Sequence, residues 1–342
     1  MPNGNVTLTA QWEKKDIKDY VTLNTKDVTE VYNGQSHAAG EATAVAKKGK
    51  ENEVGTLTVE YQKADKSWTT NREEITAKDV SDIIGRGGTI LYTARCAEMR
   101  TEEGQKKAAD ICKKHGIDGL VVIGGDGSFR GAADLSAQGI PCIGLPGTID
   151  NDISCTEYTI GYDTAMNTAM EMIDKIRDTA QSHDRCSVVE VMGRNAGYIA
   201  INVAAAVGAE AVITPEKPYD LNAIAQKMEQ TKKSGKTHFI IVVAEGVGKT
   251  EYITRTLQDI TGIESRATIL GHVQRGGSPT VRDRVVATEM GYHAVELLEQ
   301  GIGNRVVGMK DSKIYDVDIQ EALSMKKPFE DELYKILNET AF

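Results

Sequence analysis

The stretch Leu120-Val121-Val122-Ile123-Gly124-Gly125-Asp126-Gly127-Ser128 decides the fold class. Its aliphatic run carries no polar residue, which predicts a strand buried on both faces, as in a parallel sheet covered by helices. The glycines that follow let the backbone approach a ligand closely, and the N–H groups opening the next helix can hold phosphate oxygens. An aspartate inside such a cradle, Asp126, suits Mg²⁺ directly or through water. The plainer alternative is an ordinary glycine-rich turn between a strand and a helix.

The same rhythm recurs downstream. Phe239-Ile240-Ile241-Val242-Val243 is a second continuous apolar run. Between the two, Ala165, Ala169, Met172, Ile173 and Ile176 fall at helical spacing, with Asp174, Lys175 and Asp178 off that stripe. Alternating strand and helix predicts an α/β fold with a mostly parallel sheet, and ligands of such sheets bind beyond the carboxyl ends of the strands. The turns after the apolar runs are therefore where chemistry is expected.

Composition sets the outer limits. A chain of 342 residues suggests two domains at roughly 150 residues each. Forty basic against 50 acidic residues give a net charge of −10, which argues against a duplex nucleic-acid binder. Hydrophobic content of 40% with 26% charged residues fits a globular protein with a real core. No run approaches the roughly 18 apolar residues of a membrane span. The opening MPNGNVTLTA has neither a basic nor an apolar leader segment, so a cytoplasmic location is expected. Cys96, Cys112, Cys142, Cys155 and Cys186 form no metal or disulfide spacing and read as reduced, buried or half-buried thiols.

Composition changes near residue 76. Trp12 and Trp68 precede that point and every cysteine follows it. Val6, Leu8, Ala10 and Trp12 share one parity, as do Leu57, Val59 and Tyr61, which predicts short half-buried strands. Asn33-Gly34 reads as a tight turn and the lysine-rich run from Ala46 to Lys50 as a solvated loop. Residues 1–75 are thus expected to be an all-β segment of sandwich type, and 76–342 the α/β region.

Three further turns carry chemistry. Pro146-Gly147-Thr148-Ile149-Asp150-Asn151-Asp152 places two carboxylates two residues apart beside a hydroxyl, which suits proton abstraction from an alcohol. Aspartates capping a polar loop are the ordinary alternative. Ser187 to Arg194, with Arg185 just ahead, predicts a strand whose end delivers a forked guanidinium to a phosphate. Arg266 to Gly277 sets two arginines and a histidine around one apolar strand, which suggests a second anionic pocket.

GGDGS, PGTIDND, SVVEVMGR and RATILGHVQRGGSP, in this order, resemble the ATP-dependent bacterial 6-phosphofructokinases, from about Asp79 to the C-terminus, and the lead-in VSDIIGRGGTILYTAR fits as well. The resemblance implies a two-lobed α/β fold of mostly parallel sheets flanked by helices. It also implies transfer of the γ-phosphoryl of ATP to the 1-hydroxyl of fructose 6-phosphate with Mg²⁺, and a homotetramer. Residue by residue, it implies that Asp150 is the base, with Thr148 beside it, and that Arg194 neutralises the transferring phosphoryl. Asp126 matches the Mg²⁺ ligand. Gly125, Gly127, Ser128, Arg95 and Cys96 match the nucleotide side. Ile149, Met192, Gly193, Glu245, His272, Val273, Gln274 and Arg275 match the sugar-phosphate pocket. Arg185 and Arg266 match arginines reaching across from a neighbouring subunit. Arg177, Gly208, Ala209, Glu210, Lys236, Thr237 and His238 match an effector site between subunits, where Ser234 replaces a frequent lysine. Gly127 and Gly147 stand where pyrophosphate-dependent relatives carry Asp and Lys, which favours ATP as donor.

The family opens with an apolar strand and a GGDxPGxN loop, whereas GGD occurs here once, at Gly124 to Asp126. In that place stands the tryptophan-bearing segment, which is similar to repeats of bacterial surface proteins, with the seam around Ile75 to Asp79. Losing about two phosphate-directed N–H bonds at roughly 1.5–3 kcal/mol each would slow turnover by about 10²- to 10⁴-fold. Two other readings stay open: a different GGDG-type kinase, such as an NAD kinase relative, and a non-catalytic surface or interaction protein led by the β segment.

Overall fold

A computed structural model of the chain describes residues 80–340, together with the backbone of five short strands ahead of them. Those are β1 (Thr7–Thr9), β2 (Val21–Thr25), β3 (Ala42–Ala46), β4 (Thr58–Gln62) and β5 (Trp68–Thr69). The chain divides into two compact units. The first comprises residues 1–84 and 89–115. In it β4 pairs antiparallel with β1 and β5, and β2 pairs antiparallel with β3. A 3₁₀ turn (Glu98–Arg100) and helix α1 (Glu102–Lys114) complete it. The Thr101 side chain caps α1 by accepting from the Gly104 N–H at 3.1 Å. The expected Asn33-Gly34 turn and the seam at 75–79 lie outside the described residues, and so does the expected loop from Ala46 to Lys50 apart from Ala46, which ends β3.

The second unit, residues 85–88 and 116–342, holds two four-stranded sheets. Its elements are β6 (Leu120–Gly124), α2 (Asp126–Ala137), β7 (Cys142–Pro146), α3 (Tyr162–Ser182), β8 (Cys186–Val191), α4 (Tyr198–Ala206), β9 (Ala211–Ile213), α5 (Leu221–Lys233) and β10 (Phe239–Ala244). They continue with α6 (Thr250–Thr261), β11 (Ser265–Ile269), α7 (Val281–Glu299), β12 (Arg305–Lys310), β13 (Lys313–Asp318), α8 (Ile319–Ser324) and α9 (Asp331–Thr340). One sheet runs β13-β12-β7-β6, parallel except for the β12–β13 pair; the other runs β11-β8-β10-β9 and is parallel throughout. No described helix is long and apolar enough to cross a membrane.

Strand β10 shows why its sequence is an unbroken apolar run. Ile240, Val242 and Ala244 face one core with Ala165, Ala169 and Ile173 of α3, while Phe239, Ile241 and Val243 face another with Met228, Ile253 and Leu257. Successive side chains of a strand point to opposite faces, so both parities must be apolar where both faces are covered. The α3 stripe is fully buried at Ala165, Ala169 and Ile173, as its spacing predicts.

Strand β6 departs from that expectation. Leu120 is buried, but Val121 and Val122 are half-buried and Ile123 is 49% exposed. The reason is topological: β6 lies at the edge of its sheet, and among the described residues no strand pairs with its outer side. A second correction concerns His272-Val273-Gln274-Arg275. These residues form a 3₁₀ turn, Gly271–Arg275, after β11 has ended at Ile269, because Gly271 turns the chain with φ +57°.

The start of α7 is tied to the start of α3 through one buried carboxylate. Asp283 accepts from the Tyr158 hydroxyl at 2.6 Å, the Gly161 N–H at 2.7 Å, the Thr164 N–H at 2.8 Å and the Thr164 hydroxyl. Asp283→Ala strands these donors in the interior, so stability should fall by about 3 kcal/mol or more. A lowered urea midpoint at unchanged slope is the expected result.

Candidate active site

Two of the chemistry-bearing turns leave neighbouring strands of the first sheet. β6 ends at Gly124, where a Cβ would lie 2.3 Å from the Ser128 Oγ, so only glycine permits the chain to fold back into α2. Ser128 and Phe129 donate to the Gly125 carbonyl at 2.9 and 3.1 Å, which leaves the opening N–H groups of α2 directed outward. The parallel ladder continues past β7, since the Gly147 N–H donates to the Gly124 carbonyl at 3.0 Å. Asp126 and Asp150 therefore rise from adjacent strand ends. A Cβ at Gly127 would meet nothing within 4 Å, which leaves open space there. At Gly147 a Cβ would stand 2.6 Å from the Ile123 Cγ2, so packing alone already requires glycine.

The second sheet sends its own turns to the same place. After β8, Gly193 and Arg194 both take positive φ, +144° and +58°. That geometry is held from two sides: the Met192 N–H donates to the Gln274 Oε1 at 2.8 Å, and the Arg194 N–H to the Glu245 Oε1 at 2.5 Å. Glu245 begins the turn after β10, and Gly246 is tight because a Cβ there would be 2.6 Å from the Arg194 carbonyl. Gln274 is buried, while His272, Val273 and Arg275 are exposed on the same turn. Ile149 packs against the core.

Electrostatics bind these turns into one site. Burial raises the proton affinity of Asp150, the Asp152 carboxylate adds to it, and Glu245 contributes, while Thr148 and Arg194 oppose. Asp126 keeps an accessible surface, yet partial desolvation and then Asp152 push its carboxyl up, against Arg130 and Arg194. Arg194 thus acts on both carboxylates. Such a crowd of oxygen donors, lacking enough positive charge, fits a hard divalent cation. Among the described residues no three His, Cys, Asp or Glu stand close enough to cage a metal. The fit is to an ion that brings water and substrate phosphate as its remaining ligands.

Other predicted residues lie elsewhere. Arg185 precedes β8 and Arg266 opens β11, so both sit at the amino-terminal edge of the second sheet. The 6-residue strand β8 puts roughly 20 Å between Arg185 and the Met192 turn. Both arginines pair with Glu264, at 2.9 Å each. The same edge gathers Arg177, which donates to the Val207 carbonyl, and Lys236, which pairs with the buried Glu210 beside Gly208 and Ala209. Glu210 also accepts from the Ile240 N–H at 2.6 Å, Thr237 donates to Asp184, and His238 is half-buried. Arg95, exposed, and Cys96, half-buried, belong to the first unit, ahead of its 3₁₀ turn.

A family profile described as "PFK: Phosphofructokinase" matches residues 43–298. The chain belongs to the phosphofructokinase family. Its match begins ahead of the composition change near residue 76. A protein of Clostridium botulinum strain Hall named ATP-dependent 6-phosphofructokinase is 57% identical over 263 residues, which is 77% of this chain and 82% of that relative. Among solved structures, a phosphofructokinase of Saccharomyces cerevisiae superposes with a TM-score of 0.73 at 30% identity, covering 79% of this chain but only 43% of the yeast chain. A pyrophosphate-dependent phosphofructokinase from Marinobacter aquaeolei shares the fold, with a TM-score of 0.66 at 19% identity over 77% of this chain and 76% of that one.

Two further residues also touch the site, one of them, Lys327, outside every motif read from the sequence. Lys327 donates to the Asn151 carbonyl at 2.7 Å, and Asp152 raises the proton affinity of both Asp126 and Asp150. Asp152 was visible as the second carboxylate of its motif. Lys327 had no motif to mark it.

Gly193→Ala would force a side chain into φ +144° with its Cβ 2.5 Å from the Ala196 carbonyl. The melting temperature should fall by the equivalent of about 2–3 kcal/mol. Gly262→Ala, at φ +66° with nothing within 4 Å, serves as the control and should cost only about 1 kcal/mol.

Proposed function

We propose that this chain transfers the γ-phosphoryl group of ATP to the 1-hydroxyl of D-fructose 6-phosphate, giving fructose 1,6-bisphosphate and ADP in the cytoplasm. The observation that carries this reading is that the Asp126 and Asp150 turns leave adjacent strand ends of one sheet, joined by the Gly147 N–H on the Gly124 carbonyl at 3.0 Å, with the Arg194 turn of the other sheet near enough to act on both carboxylates. The names of its relatives support the donor and the sugar phosphate.

Phosphoryl transfer asks little covalent work of a protein, since the transition state spreads charge over equatorial oxygens that must be positioned and neutralised. Asp150 orients the sugar hydroxyl and takes its proton, and its raised proton affinity suits that role. Thr148 steadies Asp150, its hydroxyl accepting from the Asp150 N–H at 3.2 Å. Arg194 neutralises the moving group. Gly125 and Gly127 leave the opening N–H groups of α2 free for the nucleotide phosphates, and Ser128 adds its hydroxyl beside them. Asp126 would hold Mg²⁺, which supplies positive charge to the phosphate oxygens when bound.

Met192, Gly193, Glu245, His272 and Arg275, with Ile149, Val273 and Gln274, form the sugar-phosphate side. Arg95 and Cys96 are assigned to the nucleotide on the family resemblance. In this reading Arg185 and Arg266, at the far edge of their sheet, serve a neighbouring subunit's site in a homotetramer, an assignment that rests on the family resemblance. The cluster from Arg177 to His238 at that edge supports an effector site. Residues 1–75 stand, in this reading, where the family's opening strand and loop would be. The exposed outer side of β6 supports that part of the proposal.

The test is ATP- and Mg²⁺-dependent phosphorylation of fructose 6-phosphate by the purified chain, with pyrophosphate as the rival donor. Turnover with pyrophosphate but not ATP would overturn the donor assignment. No turnover by the folded chain would overturn the activity. Asp150→Ser should lower kcat by about 10²- to 10⁴-fold with little change in sugar-phosphate affinity.

The acid limb of kcat should lie above the ordinary aspartate range, because Asp150 must be deprotonated to act and its folded proton affinity is raised. Asp152→Asn removes one cause of that rise, so the limb should move to lower pH. A limb that stays in place separates Asp152 from the base.

A further inference from the structure

Lys327 lies on the segment between α8 and α9, remote in sequence from every motif of the site. Its ammonium donates to the backbone carbonyl of Asn151 at 2.7 Å and lies 5.0 Å from the centre of the Tyr198 ring. Asn151 is the residue between Asp150 and Asp152, fully buried, with a left-handed φ of +51°. Asparagine tolerates that conformation better than other side chains, and contacts from elsewhere in the chain fix it further. The Asn151 Nδ2 grips the Glu157 carbonyl at 3.2 Å, and Lys327 grips the peptide carbonyl itself.

The lysine is fixed from behind as well. The Tyr198 hydroxyl donates to the Pro328 carbonyl at 3.1 Å, and the Asn202 Nδ2 donates to the Glu330 carboxylate at 3.0 and 3.2 Å. The segment that carries Lys327 is therefore clamped onto α4, which follows the Arg194 turn directly. One ammonium links the Asp150 turn of the first sheet to the Arg194 side of the second.

We propose that Lys327 is a positioning residue of the phosphoryl-transfer site, holding the Asp150–Asp152 turn in its reactive geometry through the Asn151 carbonyl. This deepens the phosphotransferase reading above and rests on it for the role of Asp150. The hold has a pH dependence. Burial lowers the proton affinity of Lys327 to about 8, against the carboxylates of Glu330, Asp152 and Glu157 and the Cys155 thiol. Cys155 and Tyr198 are themselves pushed up, to about 11 and about 12, by burial first, so both stay neutral while Lys327 loses its charge. A neutral amine is a weaker donor and no longer offsets Asp152. The hold is complete below that value and loosens above it.

Two measurements test this on the full chain. Amide hydrogen exchange over 147–153, corrected for intrinsic rates, reads the hold without any need for catalysis. The second is kcat against pH. Lys327→Met should reduce protection of the turn and lower kcat by about 10- to 100-fold, with KM for fructose 6-phosphate nearly unchanged. Lys327→Arg keeps a permanent charge, so it should restore most of the protection and move the alkaline loss expected of the wild type near pH 8 to higher pH.

Wild-type protection in Lys327→Met would overturn the proposal. An alkaline loss unchanged in Lys327→Arg would overturn it too, and this arm decides if the methionine variant does not fold. A wild-type chain inactive toward fructose 6-phosphate would remove the activity reading, while the exchange arm would still decide whether Lys327 holds the turn.

Discussion

The carboxylate of Asp283 is the constraint on which the Asp150 side of the site depends. Buried at the start of α7, it has no cationic partner at hydrogen-bond distance among the described residues and is satisfied by hydroxyl and backbone donors of the 158–164 loop. A buried charge is tolerated only when such donors surround it, and each donor is fixed in turn. The Thr280 N–H closes the arrangement by donating to the Thr164 hydroxyl at 3.1 Å, and the Arg282 guanidinium sits 4.7 Å from the Tyr158 ring centre. The loop so anchored is the continuation of the Asp150 turn. With β7 fixing the other end and Lys327 the middle, that turn is held at three points.

Left-handed backbone occurs in several turns of the chain, Asp184, Asn304, Asp311 and Ser312 among them, and three instances fall in the turns of the site. Asn151, Gly193 and Arg194 all adopt positive φ, and all lie in turns at the carboxyl ends of parallel strands. Each is held by a side chain from elsewhere: Lys327 at Asn151, Glu245 at Arg194, and Gln274 at the neighbouring Met192. Strain of this kind persists only where surrounding contacts over-determine it. The result is a set of charged groups whose directions are set before any substrate arrives.

Local signals made much of this legible in the sequence. β10 and α3 could be read because their periodicity reports burial directly, at Ile241 and Val242 on opposite faces and at Ala165, Ala169 and Ile173 on one. The turns at Asp126, Asp150 and Arg194 could be read because glycine marks where backbone must pass close. The edge position of β6 could not, since an aliphatic run says nothing about how many neighbours its strand has. The 3₁₀ turn at His272 was hidden because Leu270-Gly271-His272-Val273 continues the apolar texture of β11. Lys327 and Asp283 act across 176 and 119–125 residues of chain, and no local pattern encodes contacts at that separation.

The free side of β6 carries one more implication. A parallel edge is directional: a strand joining it in the same sense would end level with Gly124, and its following turn would face the opening of α2 from the opposite wall. The edge that exposes Ile123 thus also borders the turn that carries Asp126. A strand added at that edge would cover Ile123 and bring its own turn beside Gly124 to Asp126, so completing the sheet and changing the surroundings of that carboxylate would be a single event.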